Sequence, residues 1–509
     1  MKKRLLGLAI AVALTSVSAR ARDSVRPKGP DEDGTKPALT RVAGEGFYDS
    51  HAFTYLTELS DDVGARVTGS PAGQKAIDWG VAKMKTIGLE NVHAEKWSMW
   101  KGWTRGTASA EMLAPIRRHL TVDAMGWTGS TPAAGVEAEV VTANPFDMDD
   151  EIKNIARFRG KIVMMKPEGR PRKSFWLLFA QYGDFLDELQ KAGAIAVIGG
   201  QLGFKADGMH LTHTGILGFA RDFAIPVVDI VMEDQSQLDR FLAAGKTVRL
   251  GVNVQNTFTG APVESANVVG EIIGREHPEE VLVVGAHLDS WDLSEGTTDN
   301  GTGTTSVLAA AEAIAKSGQR PRRTIRFVLF SGEEQGLLGS LAYVKQHANE
   351  MKNHLGCVVL DDGQGPVKEF QLGGRDDLVA PMKAFAQSLE NVREVEVNDK
   401  LEFGTDTGPF ILAGLPGINL QQDSPDYKYT HHSAADSLEQ VKPDVLAQNA
   451  TIMALSAFWL ADRPERFAAP WSAERTAKML REKGEYEMLN ALKLWPFGNL
   501  GSESSPSAN

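Results

Sequence analysis

From Ser265 onward the chain alternates short apolar runs with amphipathic stretches, and this rhythm constrains the fold more than any other feature. Apolar runs at 268–273, 281–284, 324–330, 357–360, 370–372 and 417–420 read as buried strands. Residues 304–316, 337–349, 377–389 and 443–460 carry helical spacing. Strands alternating with helices predict an α/β domain with a mostly parallel central sheet flanked by helices. An open sheet of this kind places its ligand site beyond the carboxyl ends of its strands.

Five such places carry His or carboxylate. The run 281–284 leads to His287, with Asp289 two positions on. Asp299-Asn-Gly301 opens a Gly- and Thr-rich turn. Ser331-Gly-Glu333-Glu334-Gln-Gly336 follows 324–330, and Asp361-Asp362-Gly363 follows 357–360. His431-His432-Ser-Ala-Ala-Asp436 is the fifth. Singly each has a bland explanation: a turn-forming Asp, a solvated Glu pair, a surface His pair. Five at one sheet edge do not. His with carboxylates suits zinc. Two His and bridging and terminal carboxylates can hold two zinc ions roughly 3.5–4 Å apart, with one carboxylate left over as general base. Neighbours such as Glu333 and Glu334 point different ways in an extended turn, so one can bind metal while the other faces water. Asp289 is placed to hydrogen-bond the distal nitrogen of His287. Other chemistries fail: Gly301-Thr-Gly303 lacks the third glycine of a dinucleotide loop, and G-x-S-x-G and H-E-x-x-H are missing.

Residues 1–21 read as a signal peptide: Lys2, Lys3 and Arg4, then a short apolar stretch, then small residues. The expected destination is the periplasm or the outside of the cell, with no membrane attachment after removal. The net charge of -12 carries no basic nucleic-acid footprint. The single cysteine, Cys357, sits in an apolar run, which predicts a buried core residue and excludes an intramolecular disulfide. Residues 22–45 read as a linker. Residues 46–117 form the first part of the main domain, with helices at 46–59 and 74–87 and a strand at 92–113. Between 118 and 263 the texture changes to short β-like runs (136–141, 161–165, 194–198, 225–231) and one helix, 182–192, which predicts an inserted β-rich module. The main domain resumes over 264–465 and carries the site. Residues 466–509 form an extension ending in a polar tail.

The motifs H-L-D-S-W-D, T-D-N-G-T-G, S-G-E-E-Q-G, G-T-D-T-G-P-F and H-H-S-A-A-D together resemble the zinc exopeptidases with co-catalytic metals, and among them the carboxypeptidase Q (plasma glutamate carboxypeptidase-like) group. The resemblance covers 46–462. F-R-G-K-I-V at 158–163, K-A-G-A-I-A at 191–196 and A-I-P-V-V at 224–228 make the insert similar to a protease-associated (PA) domain. The resemblance implies a phosphorylase/hydrolase-like fold and two zinc ions. Asp299 would bridge them, His287 and Asp361 would complete one, and Glu334 and His432 the other. Asp361 matches better than Asp362 because it follows its strand directly. His432 matches better than His431 because the family's ligand precedes Ser or Thr in H-S/T-x-x-D. Glu333 would be the general base toward a metal-bridging hydroxide, and the Asp299–Asn300 bond would be cis. The implied substrate is a dipeptide or short peptide, with aminopeptidase, carboxypeptidase and dipeptidase activity all open. Homodimers are common in the family. Two alternatives, a non-catalytic binding relative and a single-zinc glutaminyl cyclase, are disfavoured because all five ligand positions and the base are filled.

Overall fold

The apolar runs assemble into the first of two eight-stranded sheets. The structure is a computed structural model that describes residues 29–199 and 209–500. The expected signal peptide, the start of the linker and the polar tail lie outside the described residues. Strands Arg323–Phe330, His277–His287, His354–Val359 and Gly417–Gln422 lie side by side and parallel. Val263–Ile272 and then Glu90–Met99 add to one flank antiparallel. Val367–Gln371 adds antiparallel to the other, with Glu396–Asn398 as its parallel edge. The sheet is therefore mixed, with a parallel centre.

The central strand shows why it is central. Successive side chains alternate faces, and both faces are apolar: Leu282 and Val284 enter one core, Val281 and Val283 the other. The first core is covered by helices Thr302–Lys316, Pro443–Asp462, Lys36–Tyr48 and Pro71–Ile87. The second takes Tyr343 and Phe410 from helices Leu338–Gln346 and Gly408–Leu412. Cys357 is buried there, unpaired.

Three local expectations change. The described part of the supposed linker is helical. Pro37 lies in the first turn of Lys36–Tyr48, where its missing N–H breaks no bond, and Leu39 and Val42 are buried. The helix placed at 46–59 accordingly breaks after Tyr48 and restarts as Ala52–Thr57. The single strand expected over 92–113 is two strands in different sheets. Glu90–Met99 belongs to the first; Trp103–Ala114 pairs antiparallel with Arg249–Phe258 in the second. Trp103–Ala114, expected in the first part of the main domain, is thus a strand of the second sheet.

In the second sheet Val136–Ala143, Ile162–Met165, Ala196–Ile198 and Val227–Ile230 run parallel in that order. Its helix spans Phe175–Ala192, starting earlier than 182 because Ser174 caps it, accepting from the Leu177 N–H. The last helices among the described residues are Ala473–Glu482 and Tyr486–Ala491. No described helix is long and apolar enough to cross a membrane.

Candidate metal centre

The seven residues singled out in the sequence converge beyond the carboxyl ends of the parallel strands. His287 is the last residue of its strand and is buried. Its Nδ1–H donates to the backbone carbonyl of Asp289 at 2.9 Å. That bond leaves Nε2 facing Asp299 Oδ1 and Asp361 Oδ1, each at 3.1 Å. His432 repeats the arrangement. Its Nδ1–H donates to the Thr214 carbonyl at 3.2 Å, and its Nε2 lies 3.1 Å from Asp299 Oδ2 and 2.9 Å from Glu334 Oε2. Asp299 belongs to both groupings, presenting one oxygen to each histidine. His431 stacks on His432, ring centroids 3.8 Å apart, with its Nε2 at 3.6 Å from Asp299 Oδ2.

The Asp289 expectation needs correction. Its carboxylate is 3.8 Å from His287 Nδ1, and its backbone oxygen takes the hydrogen bond instead. The carboxylate accepts from the Thr68 hydroxyl at 2.8 Å and from the Glu333 N–H at 3.3 Å. Asp289 thus ties the loop bearing Glu333 to the His287 loop. Of the two adjacent acids, Asp361 faces His287, whereas Asp362 accepts from Asn419 Nδ2 at 2.9 Å.

Several supports escaped sequence reasoning. Asp436 accepts from the Thr297 hydroxyl and from the N–H groups of Thr298 and Asp299, at 3.0, 2.6 and 3.2 Å, fixing the turn that carries Asp299. The Asp299–Asn300 bond is cis, as the resemblance implied. Asn300 Nδ2 donates to Asp361 Oδ1 at 2.8 Å. Arg66, fully buried, donates to the carbonyls of Leu288, Glu295 and Gly296 and clasps the loop between His287 and Asp299. Trp291 Nε1–H donates to Glu334 Oε2 at 2.6 Å. The loop that contains Arg66, G-A-R-V-T-G at 64–69, gives no periodic signal.

Electrostatics and donor chemistry both call for a cation. Each histidine donates from Nδ1, so each neutral ring would turn an Nε2 lone pair toward two carboxylate oxygens. Only a proton or a metal between them removes that repulsion. Burial opposes charge on His287, but Asp361 and Asp299 outweigh it and hold its pKa well above the ordinary imidazole value. For His432 burial is likewise outweighed, by Glu334 and Asp299, and the pKa rises to about 10. Burial, with Asp361 and Glu334 nearby, holds the Glu333 carboxyl well above the usual range. Glu334 Oε1 is buried with no hydrogen-bond partner among the described residues, an expensive state unless a ligand satisfies it. The residues present fit metal ions.

A sheet whose parallel central strands gather this donor set at their ends is suited to metal-dependent hydrolysis. The sequence profile of Peptidase family M28 matches residues 267–457. Carboxypeptidase Q of Mus musculus is 30% identical over 462 residues, covering 90% of this chain and 96% of that protein. The chain belongs to peptidase family M28 and is a metallopeptidase. Among solved structures, a Peptidase M28 precursor from Shewanella amazonensis SB2B superposes with a TM-score of 0.75 at 28% identity, over 86% of this chain and 99% of that one. A zinc aminopeptidase from Bacillus subtilis shares the fold, with a TM-score of 0.62 at 22% identity over 83% and 97%.

Proposed function

We propose that this chain is an exported exopeptidase that holds two zinc ions and hydrolyses dipeptides or short peptides. One observation carries the proposal: Asp299 turns Oδ1 to His287 and Oδ2 to His432, both at 3.1 Å. A carboxylate shared this way suits a bridge between two ions. His287 and Asp361 would hold one zinc with Asp299, and Glu334 and His432 the other. Bound there, the pair would acidify a water and polarise the scissile carbonyl.

The remaining work falls to the chain itself. Glu333 takes the proton of the attacking water on a carboxylate oxygen and passes it to the leaving amine nitrogen. Glu333 lines the same cavity as His287, Asp299, Glu334 and Asp361 without being one of the proposed ligands, which suits a group that carries a proton between two transfers. The Glu333 N–H bond to Asp289 and the Nδ1 bonds of the two histidines keep these side chains aimed while the proton moves. The second sheet and its helices are the inserted protease-associated domain, and residues 1–21 direct export.

The test is zinc analysis of the purified chain together with end-group analysis of products from a di- and tripeptide library, with and without chelator. Two zinc ions per chain and chelator-sensitive release of terminal residues are expected. Well under one zinc, or hydrolysis that survives complete metal removal, overturns the proposal. Aminopeptidase, carboxypeptidase and dipeptidase action are separated by which terminus the products carry.

A further inference from the structure

A cavity of about 300 Å³ is lined both by the residues of the candidate centre and by aromatic residues of the second sheet's unit. Phe175, Trp176 and Phe179 project from the first turns of helix Phe175–Ala192, and Phe219 from a loop of the same unit. The helix has two apolar faces with different uses. Leu178, Tyr182, Phe185 and Leu189 pack into its own unit's core. Phe175, Trp176 and Phe179 are not part of that core, and Phe175 is 40% exposed. Their rings run edge to face: 5.5 Å from Phe175 to Trp176, 6.0 Å on to Phe179, and 5.6 Å on to Phe219. Aromatic pairs favour this geometry.

The wall is fitted closely to the catalytic loops. A Cβ on Gly336, at the end of the loop bearing Glu333 and Glu334, would lie 2.7 Å from Phe219 Cγ. A Cβ on Gly404 would lie 2.5 Å from Trp176 Cζ2. The Ala220 N–H donates to the Gln335 carbonyl at 3.0 Å, so the Phe219 loop and the Glu333–Glu334 loop are joined by backbone. From behind, Trp176 packs against a cluster containing Phe403, Met488 and Leu489, the last two from the C-terminal helix. The wall is therefore braced by both the insert and the C-terminal extension. Rings that line the same cavity as Glu333 and are left out of their own unit's core provide apolar contact for a ligand.

We infer that Trp176, Phe179 and Phe219 form a specificity pocket for a bulky apolar side chain, of Leu, Met or Phe size, on a residue flanking the scissile bond. The preferred substrates are then short peptides carrying such a residue; the cavity is at the small end of the range for ligand sites. This inference rests on the peptidase function proposed above. Its test is a dipeptide panel with Gly, Asp, Leu and Phe at each position, comparing kcat/KM for the wild type, Phe179→Ala, Phe219→Ala and the milder Phe179→Leu. At one of the two positions the wild type favours Leu or Phe over Gly by about 10–200-fold, the discrimination an apolar pocket supplies. The alanine variants lower that ratio by roughly tenfold, chiefly through KM, and Phe179→Leu lowers it less. Zinc content measured on the same samples stays at the wild-type value. Wild-type enzyme that cleaves Gly- or Asp-containing dipeptides as well as Phe-containing ones overturns the pocket, as do alanine variants with an unchanged ratio. A wild type that cleaves no member of the panel sinks the peptidase function, and the pocket with it.

Discussion

The two histidines of the site are aimed in the same way from different parts of the molecule. His287 is held by the carbonyl of Asp289, two residues along its own loop. His432 is held by the carbonyl of Thr214, which belongs to the insert. Further bonds strengthen the second arrangement: the Thr214 N–H donates to the His432 carbonyl, and His213 Nδ1–H donates to the His431 carbonyl. One half of the centre is thus locally built, and the other is completed only when the two sheets are docked. Hydrogen bonds to the far nitrogen of a ligand histidine set its orientation and basicity, so the insert takes part in the site without supplying a side-chain ligand.

The largest expected effect is common to both halves. Glu333→Gln removes the proton carrier and lowers kcat by about 10²–10⁴-fold, while zinc content holds; retained turnover in a peptide assay removes Glu333 from its role. Next come paired changes that separate the halves. Arg66→Ala unclasps the His287–Asp299 loop and strands three carbonyls, costing roughly 2–4 kcal/mol in chemical denaturation. Arg105, from strand Trp103–Ala114, donates to the Thr214 hydroxyl at 2.9 Å and to Asp292 at 2.6 Å. Arg105→Ala loosens the segment that holds His432 and weakens one zinc by about tenfold in a chelator titration, leaving the other unchanged. Equal weakening of both ions would erase the contrast between the halves.

The smallest effect concerns a histidine outside the site, in the same sheet as His287. His354, at the amino end of its strand, donates from Nδ1 to the Glu350 carbonyl and accepts from the Tyr343 hydroxyl. Among the described residues it has no carboxylate partner at hydrogen-bond distance, and burial lowers its pKa to about 4. The unfolded chain, with an ordinary imidazole near 6.5, binds this proton first. The stability His354 provides is therefore complete above pH 6.5 and falls as the pH drops toward 4. Between pH 7 and 5.5 the loss is about 1 kcal/mol, read as the difference between wild type and His354→Gln in denaturation at each pH. A pH-independent difference would show that His354 is not held neutral.

Most residues gathered at the candidate centre were legible because they carry a local signal. His287, Glu333, Glu334 and Asp361 lie within four residues of the end of an apolar run, and Asp299 opens a glycine-rich turn. What holds them was not. The partner of His287 Nδ1 is a backbone oxygen, which every residue has, so the sequence pointed to the Asp289 carboxylate instead. Thr214 and Arg105 belong to the second sheet's unit, whereas His432 and Asp292 lie in loops of the first sheet's unit, and no periodicity reports a contact between the two. The helix Lys36–Tyr48 was hidden by composition: Pro, Gly and charge suggested a linker, but Pro37 sits where a helix tolerates it.

The pairing of Glu90–Met99 with Val263–Ile272 brings together Met99 and Val263, on either side of the whole insert. Closing so long a loop from an open chain costs entropy, a cost that grows only slowly with loop length. The second sheet pairs Trp103 with Phe258, a few residues inside the same crossing point. Once that pairing exists, the two ends emerge side by side and the first sheet gains its edge strand as a short-range event. Folding should therefore proceed from the insert outward at this seam, and the interval between synthesis of residue 99 and of residue 263 need not leave the edge strand unpaired for long after the insert is complete.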